Sequence, residues 1–227
     1  MQSMPLFPLH TVLFPRMPLP LHIFEERYKE MIAKCISDER PFGVLLIDEG
    51  VEVGGLAIPR NVGTIANIRV IEPLDDSGRM NILAEGSQRF RLVERTVDPD
   101  TYLMGVVEIL KDDPTNKEEL TKSITKITSQ FREYFEILVT NTGISMPNYE
   151  LPTDPEDLSF VVAAVLEGDV EFRQSLLEMT STASRLAIES ERLEAELEII
   201  REIKYSKPQE VITRITSGMR RSLNSNN

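Results

Sequence analysis

Two histidines, one cysteine and a short block of arginines are the residues of this 227-residue chain best suited to chemistry. Their spacing supports little of it. His22 precedes Glu25 and Glu26, a set that could begin a metal site on a helix, but such a site needs a second imidazole one turn away and none follows. His22 therefore reads as a capping or loop-packing histidine. His10 lies in a loop between apolar runs and offers at most a lone acid/base group. A single cysteine excludes an intrachain disulfide and any multi-cysteine zinc or iron–sulfur centre. Cys35 falls on an apolar stripe with Tyr28, Met31, Ile32 and Ile36; a reactive thiolate would need an adjacent basic group, and Lys34 points about 100° away around a helix. It reads as a buried small hydrophobe. No Gly-Lys dipeptide exists for a Walker A loop, and G-x-S-x-G, H-E-x-x-H and G-x-G-x-x-G are all missing. The residues point to no metal, no cofactor and no recognisable catalytic centre.

The elements that would position a site change character near Pro114. Before it, Phe42–Ile47, Gly63–Leu74, Met80–Glu85, Arg89–Val97 and Tyr102–Leu110 are short apolar runs expected as strands. In the fourth run Arg89, Arg91 and Arg95 alternate with Phe90 and Leu92, which suits one face in a core and one in water. Asp75-Asp76-Ser77-Gly78 has hairpin-turn chemistry. One helix is expected from about Phe24 to Ser37. After Pro114 the period is helical: Thr115–Thr142, a helix started by Asp154-Pro155, a short one over Val170–Glu178, and a longer one over Thr182–Lys204.

Composition sets the outer bounds. The net charge is −12, which repels phosphate backbones and anionic lipid. Residues 1–111 hold 12 basic and 16 acidic side chains, a net of −4, and residues 112–227 hold 13 and 21, a net of −8. The helical acids read as a solvated face, with Glu198–Arg201 a near-neighbour pair. Lys207–Asn227 is locally basic. The apolar N-terminus is broken by five prolines and has no basic start, unlike a signal peptide, and no apolar run spans a membrane. The expected compartment is cytoplasmic.

Several runs together carry a family resemblance. Met4–Phe24 reads MPLFPLHTVLFPRMPLPLHIF, and in it Pro5, Leu6, Pro8, Leu9, Val12, Leu13, Phe14, Pro15, Pro18 and Leu19 fit the segment that opens the substrate-binding (N-terminal) domain of Lon proteases. The helix start Ile23-Phe24-Glu25-Glu26-Arg27-Tyr28 follows as that family has it. Arg16 departs from the pattern, because the family commonly has Gly after Phe-Pro. Gly63-Thr64-Ile65-Ala66-Asn67-Ile68 and Gly86-Ser87-Gln88-Arg89-Phe90-Arg91-Leu92 resemble two of its strands. Asp154-Pro155, Phe172-Arg173-Gln174 and Ala183, Arg185, Leu186 resemble its helices, so the likeness runs over about residues 4–203.

The resemblance implies an α+β fold. A PUA-like β pseudobarrel with at least one helix is expected over residues 1–114, a helical bundle ending in a long helix over 115–206, and a short amphipathic segment with a disordered tail over 207–227. It also implies a free-standing substrate-binding domain without ATPase or peptidase modules. Its clients would be unfolded or partly folded polypeptides, with a protease or chaperone as a further partner, and its state a monomer or weak dimer. An apolar groove with an open strand edge would hold the client, lined by Phe14, Met17 and the stiffening prolines Pro15 and Pro18. The competing reading of those four residues is barrel closure, with prolines protecting an edge strand. PUA-like barrels also include RNA binders, for which Arg89, Arg91 and Arg95 are the compact basic set, but the acidity argues against nucleic acid. An enzyme whose site leaves no sequence trace is the remaining alternative.

Overall fold

The structure, a computed structural model, describes residues 1–54, 57–96, 102–115, 117–142 and 150–206. The expected segment and tail at 207–227, and the strand end at Val97, lie outside them. Among the described residues two compact units emerge: Met1–Lys111 with Asp169–Glu178, and Asp112–Gly168 with the residues from Met179 to Ser206.

The first unit is built on six strands, β1 (Gln2–Leu9), β2 (Pro18–Ile23), β3 (Phe42–Gly50), β4 (Ala57–Pro73), β5 (Met80–Thr96) and β6 (Met104–Ile109), with helix α1 (Glu26–Ser37). They lie in the order β2-β5-β4-β3-β1-β6, and β6 also pairs with β5. That extra pairing closes β1, β3, β4, β5 and β6 into a ring. β2 lies outside it, opposite the first half of β5, while Phe90–Thr96 of β5 meets β6. β1 runs parallel to β3, and the other pairings are antiparallel. Leu6, Leu45, Ile65, Phe90, Leu92 and Val107 form one core, and α1 buries Tyr28, Met31, Ile32 and Cys35 against Leu19, Ile23, Ile82 and Ala84 in another. The Asp75–Gly78 turn forms as expected, with Gly78 at φ +81°.

The structure departs from the sequence expectations at four points. Met80–Glu85 and Arg89–Val97 are not two strands: Gly86 stays paired with Ala66 and Arg89 with Thr64, so β5 continues through. β1 and β2 form in the proline-broken N-terminal segment, to which the sequence pattern assigned no strand. Arg89 does not share an exposed basic face with Arg91 and Arg95; it is 2% exposed, beneath helix α4 (Val170–Glu178). That helix was expected in the helical half but groups with the strands. Polar ties explain why. Arg89 Nη1 donates to the Leu177 carbonyl at 2.7 Å, placing a cation at the negative end of α4, and Gln174 Nε2 donates to the Val62 carbonyl at 3.1 Å. Arg60 Nη2 adds a fork to Glu171 at 2.9 and 3.0 Å.

The second unit packs α2 (Lys117–Thr142), α3 (Pro155–Val165) and α5 (Thr182–Ser206) around Ile127, Phe131, Leu158, Val162, Leu186, Leu193 and Leu197. Asp154 caps α3, accepting from the Glu156 and Asp157 amides, and Pro155 occupies the first turn. The acids of this half are not all solvated. Arg201 reaches Glu133 and Glu194, not Glu198 as its spacing suggested. Glu189 is fully buried, accepting at 2.8 Å from Ser159 Oγ, which accepts in turn from Arg185 Nε at 2.6 Å.

Burial pushes the Glu189 carboxyl well above its ordinary range, and the Ser159 hydrogen bond and Arg185 charge offset this only in part. A carboxyl whose pKa is raised by folding supports the native state fully below its unfolded value of about 4.3 and loses that support as pH rises towards the folded value. Glu189→Gln should therefore be more stable than the parent in urea melts at pH 7–8, with the gain shrinking to nothing near pH 4. A constant difference across that window would show that Glu189 does not titrate in it.

Candidate polypeptide-binding surface

The turn before β2 is locked from beneath. Thr64 Oγ1 donates to the Leu13 carbonyl at 2.5 Å, Arg16 N–H to the Gly86 carbonyl at 2.8 Å, and Gly86 N–H to the Met17 carbonyl at 3.0 Å. This geometry separates the four candidate residues. Phe14 and Pro15 are buried, Met17 is half-buried, and Pro18 is exposed. The Arg173 guanidinium lies 5.0 Å over the Phe14 ring and donates to Met17 Sδ at 3.7 Å. Phe14 and Pro15 thus support the turn, while Met17 and Pro18 reach its surface.

Arg16 holds a left-handed conformation, φ +64°, which a Cβ makes unfavourable. At the position where the family commonly has Gly, the arginine takes a conformation that favours glycine. Arg16→Gly should stabilise the protein by about 0.5–1 kcal/mol, the relief of strain exceeding the added unfolded-state entropy. Denaturant titration reads this directly, and a loss of stability would mean that the arginine side chain contributes more than the strain removes.

No described strand lies on the outer side of β2, and its prolines determine what that side offers. Proline has no N–H, so the continuous pairing of Pro18–Ile23 with Glu85–Met80 must run through Leu19, Leu21 and Ile23. Pro18 and Pro20 then point outward, presenting carbonyls and no donors. Backbone pairing of a client along this edge, the sequence expectation, is disfavoured here.

The solvent face of β2, β5 and β4 was not visible in any single stretch of sequence. Pro20 lies opposite Leu83, and Leu83 opposite Val70, so three strands contribute one apolar row. All three side chains are exposed, Leu83 at 37% and Val70 at 54%. A polar row flanks it on one side, where His22 Nδ1 donates to Asn81 Oδ1 at 2.9 Å and Asn81 Nδ2 to Glu72 Oε2 at 3.1 Å. Pro18, Glu85 and Arg69 flank it on the other, with Arg69 Nε 2.7 Å from Glu85. Phe24, 45% exposed, stacks on His22 at a centroid distance of 5.6 Å. An apolar strip between polar rims is the usual make-up of an interaction surface.

Catalytic and metal chemistry gain nothing from the geometry. His22 meets Asn81, not Glu25 or Glu26, and His10 is exposed in its loop. Cys35 is buried, and burial pushes its thiol up despite the nearby Arg40. Among the described residues no three His, Cys, Asp or Glu side chains converge as a metal site, and no helix is long and apolar enough to cross a membrane.

Among the described residues a mixed, ring-closed sheet and five helices make an α+β fold, with an apolar sheet face in solvent. The sequence pattern of the ATP-dependent protease La (LON) substrate-binding domain matches residues 3–195, and the chain belongs to that family. It is 26% identical over 204 residues to a Lon protease of Anaeromyxobacter dehalogenans (strain 2CP-C), covering 87% of this chain and 24% of that protein. Lon protease of Escherichia coli (strain K12) is 24% identical over 200 residues, covering 87% and 25%. The chain thus spans about a quarter of the length of these curated relatives. Among solved structures, a Lon N-terminal domain protein from Xanthomonas campestris superposes with a TM-score of 0.62 at 25% identity, covering 82% of this chain and 96% of that one. The N-terminal domain of the Mycobacterium avium complex Lon protease shares the fold, with a TM-score of 0.58 at 19% identity and coverage of 85% and 98%.

Proposed function

We propose that this chain is a non-catalytic polypeptide-binding module that engages unfolded or partly folded protein in cytoplasmic quality control, itself or as an adaptor to a protease or chaperone. The observation that carries the reading is the exposed Pro20–Leu83–Val70 row. Folded clients hide their apolar side chains and unfolded ones display them, so an apolar strip with polar rims discriminates between the two without reading a sequence. Membership of the substrate-binding domain family supports the same conclusion. Met17 and Pro18 extend the strip from the turn, with Phe14 and Pro15 fixing them from below. In this reading α2, α3 and α5 form a bundle that acts as a scaffold, and the chain works as a monomer or weak dimer.

Leu83→Asp tests it. Fluorescence anisotropy with a permanently unfolded, reduced and carboxymethylated protein should show binding weakened about tenfold or more, since an apolar contact is lost and a carboxylate must be desolvated. The melting temperature should stay nearly constant, because Leu83 is a surface residue. Undiminished binding by this variant would remove the row from the site. An RNA-binding reading has lost its best support, because Arg89 is committed to α4.

A further inference from the structure

We propose that the far half of β4, Asn67–Pro73, is a strand-addition site. An extended polypeptide segment with alternating apolar residues and an acidic side chain would pair with its free edge inside the cleft beside α1. The inference deepens the polypeptide-binding reading and rests on it.

The site follows from where β3 begins. β4 is 17 residues long, and β3 pairs with it only as far as Phe42 opposite Ala66. Pro41 stands immediately before Phe42, and there the chain leaves the sheet towards the C-terminal end of α1. From Asn67 to Pro73, β4 has β5 on one side, and no described strand lies on the other. A cleft of about 320 Å³ opens on that side, between Cys35, Ile36 and Pro41 on one wall and Asn67, Ile68 and Ile71 on the other. Its size is at the lower end of the range for ligand sites. Ile36 and Ile71 are exposed at 36% and 41%, so a client's apolar side chains would cover surface now in water.

An open edge supplies main-chain hydrogen bonds, and an adjoining pocket supplies side-chain selection; together they make the usual arrangement for strand addition. β2, whose outer side also has no described strand on it, keeps only the His22 N–H among its outward positions, since Pro18 and Pro20 have none. Asn67–Glu72 contains no proline and keeps every N–H. The register shift between Ile68 and Val70 marks Arg69 as a bulge residue, which confines pairing to a few residues on either side. Affinity should accordingly be modest.

Charge narrows the client. Arg40 and Arg69 line the cleft against one carboxylate, Glu39. Each arginine already meets an acid, Asp38 at 3.5 Å and Glu85 at 2.7 Å, yet both remain partly exposed, and a guanidinium has five donors. Two partly exposed guanidiniums lining the cleft favour an acidic side chain next to apolar ones.

The full chain is to be titrated with a fluorescein-labelled peptide of alternating valine and threonine with one central glutamate. A second peptide has the same side chains but methylated nitrogens at every other amide. The unmethylated peptide should bind, and the methylated one at least about tenfold more weakly, because donors are lost while side chains stay. Amide hydrogen exchange should slow within Asn67–Glu72, and Ile71→Asp should weaken peptide binding. Val93→Asp, at an exposed apolar position of β5 outside both the cleft and the row, should leave it unchanged. Equal affinity for both peptides, protection elsewhere, or loss of peptide binding in Val93→Asp would each overturn the proposal. So would protection of Asn67–Glu72 that grows with protein concentration without peptide, since a second copy would then be the occupant. Binding of unfolded protein without binding of the peptide would sink strand addition alone; binding of neither would sink the polypeptide-binding reading as well.

Discussion

Replacing Arg185 with methionine should destabilise the second unit by about 3–5 kcal/mol, the usual cost of removing one partner from a buried charge pair. The Arg185 and Asp112 side chains are 0% and 6% exposed, with Arg185 Nη2 2.7 Å from Asp112 Oδ2. The same guanidinium donates to the Met179 carbonyl at 2.8 Å and to Ser159, and it lies 4.0 Å over the Phe160 ring. Methionine preserves much of the stem's packing but strands the Asp112 carboxylate without this counter-charge and leaves a carbonyl and a hydroxyl short of a donor. The double variant Asp112→Asn with Arg185→Met should recover part of the loss, because the stranded charge goes with it. Guanidinium unfolding curves of the parent and three variants complete the cycle. A loss under about 1 kcal/mol in the single variant would place the pair in a wetter setting than its burial indicates.

Gly86→Ala should cost about 3 kcal/mol, the upper part of the range for overpacking, and should weaken polypeptide binding as well. A Cβ at this position would stand 2.2 Å from the Phe14 carbonyl oxygen and 3.2 Å from Leu13 Cγ. The nearest obstacle is backbone, so no side chain can rotate aside to relieve it. Gly86 also ties down the turn through its own N–H and C=O, and moving the turn breaks both bonds and displaces Met17 and Pro18. Urea melts and anisotropy on the same variant give the two effects separately. Lost stability with full binding would show that the turn is structural and Met17 and Pro18 are not part of the surface.

What the sequence revealed was local. The 3.6-residue period of α1 and the Asp154-Pro155 start of α3 each lie within one window, and both helices form; the alternation through Phe90 and Leu92 marked a strand but not that it continues from Met80. β1 and β2 were hidden because proline argues against a strand unless its missing donor faces away from the ladder, and only pairing reveals that direction. The buried positions of Arg89 and Glu189 were hidden for a related reason. Arg89 meets Leu177 88 residues on, and Glu189 meets Ser159 30 residues back, so charge patterning alone made both appear solvated. The candidate surface is the extreme case. Its apolar row draws single residues from three strands, and of these only Pro20 lies in a stretch that carried the family resemblance.

The placement of α4 bears on how the protein is made. Its contacts with Arg60, Val62 and Arg89 belong to the strand unit, yet Asp169–Glu178 is translated only after α2 and α3. A ribosome releasing this chain exposes all six strands while the carbonyl that will accept from Arg89 does not yet exist. Folding that generally proceeds from the N-terminus must here leave the barrel incomplete until the middle of the helical half has emerged. A nascent chain in that interval carries an apolar face and an unfinished barrel, the same features by which the finished protein is proposed to recognise its clients.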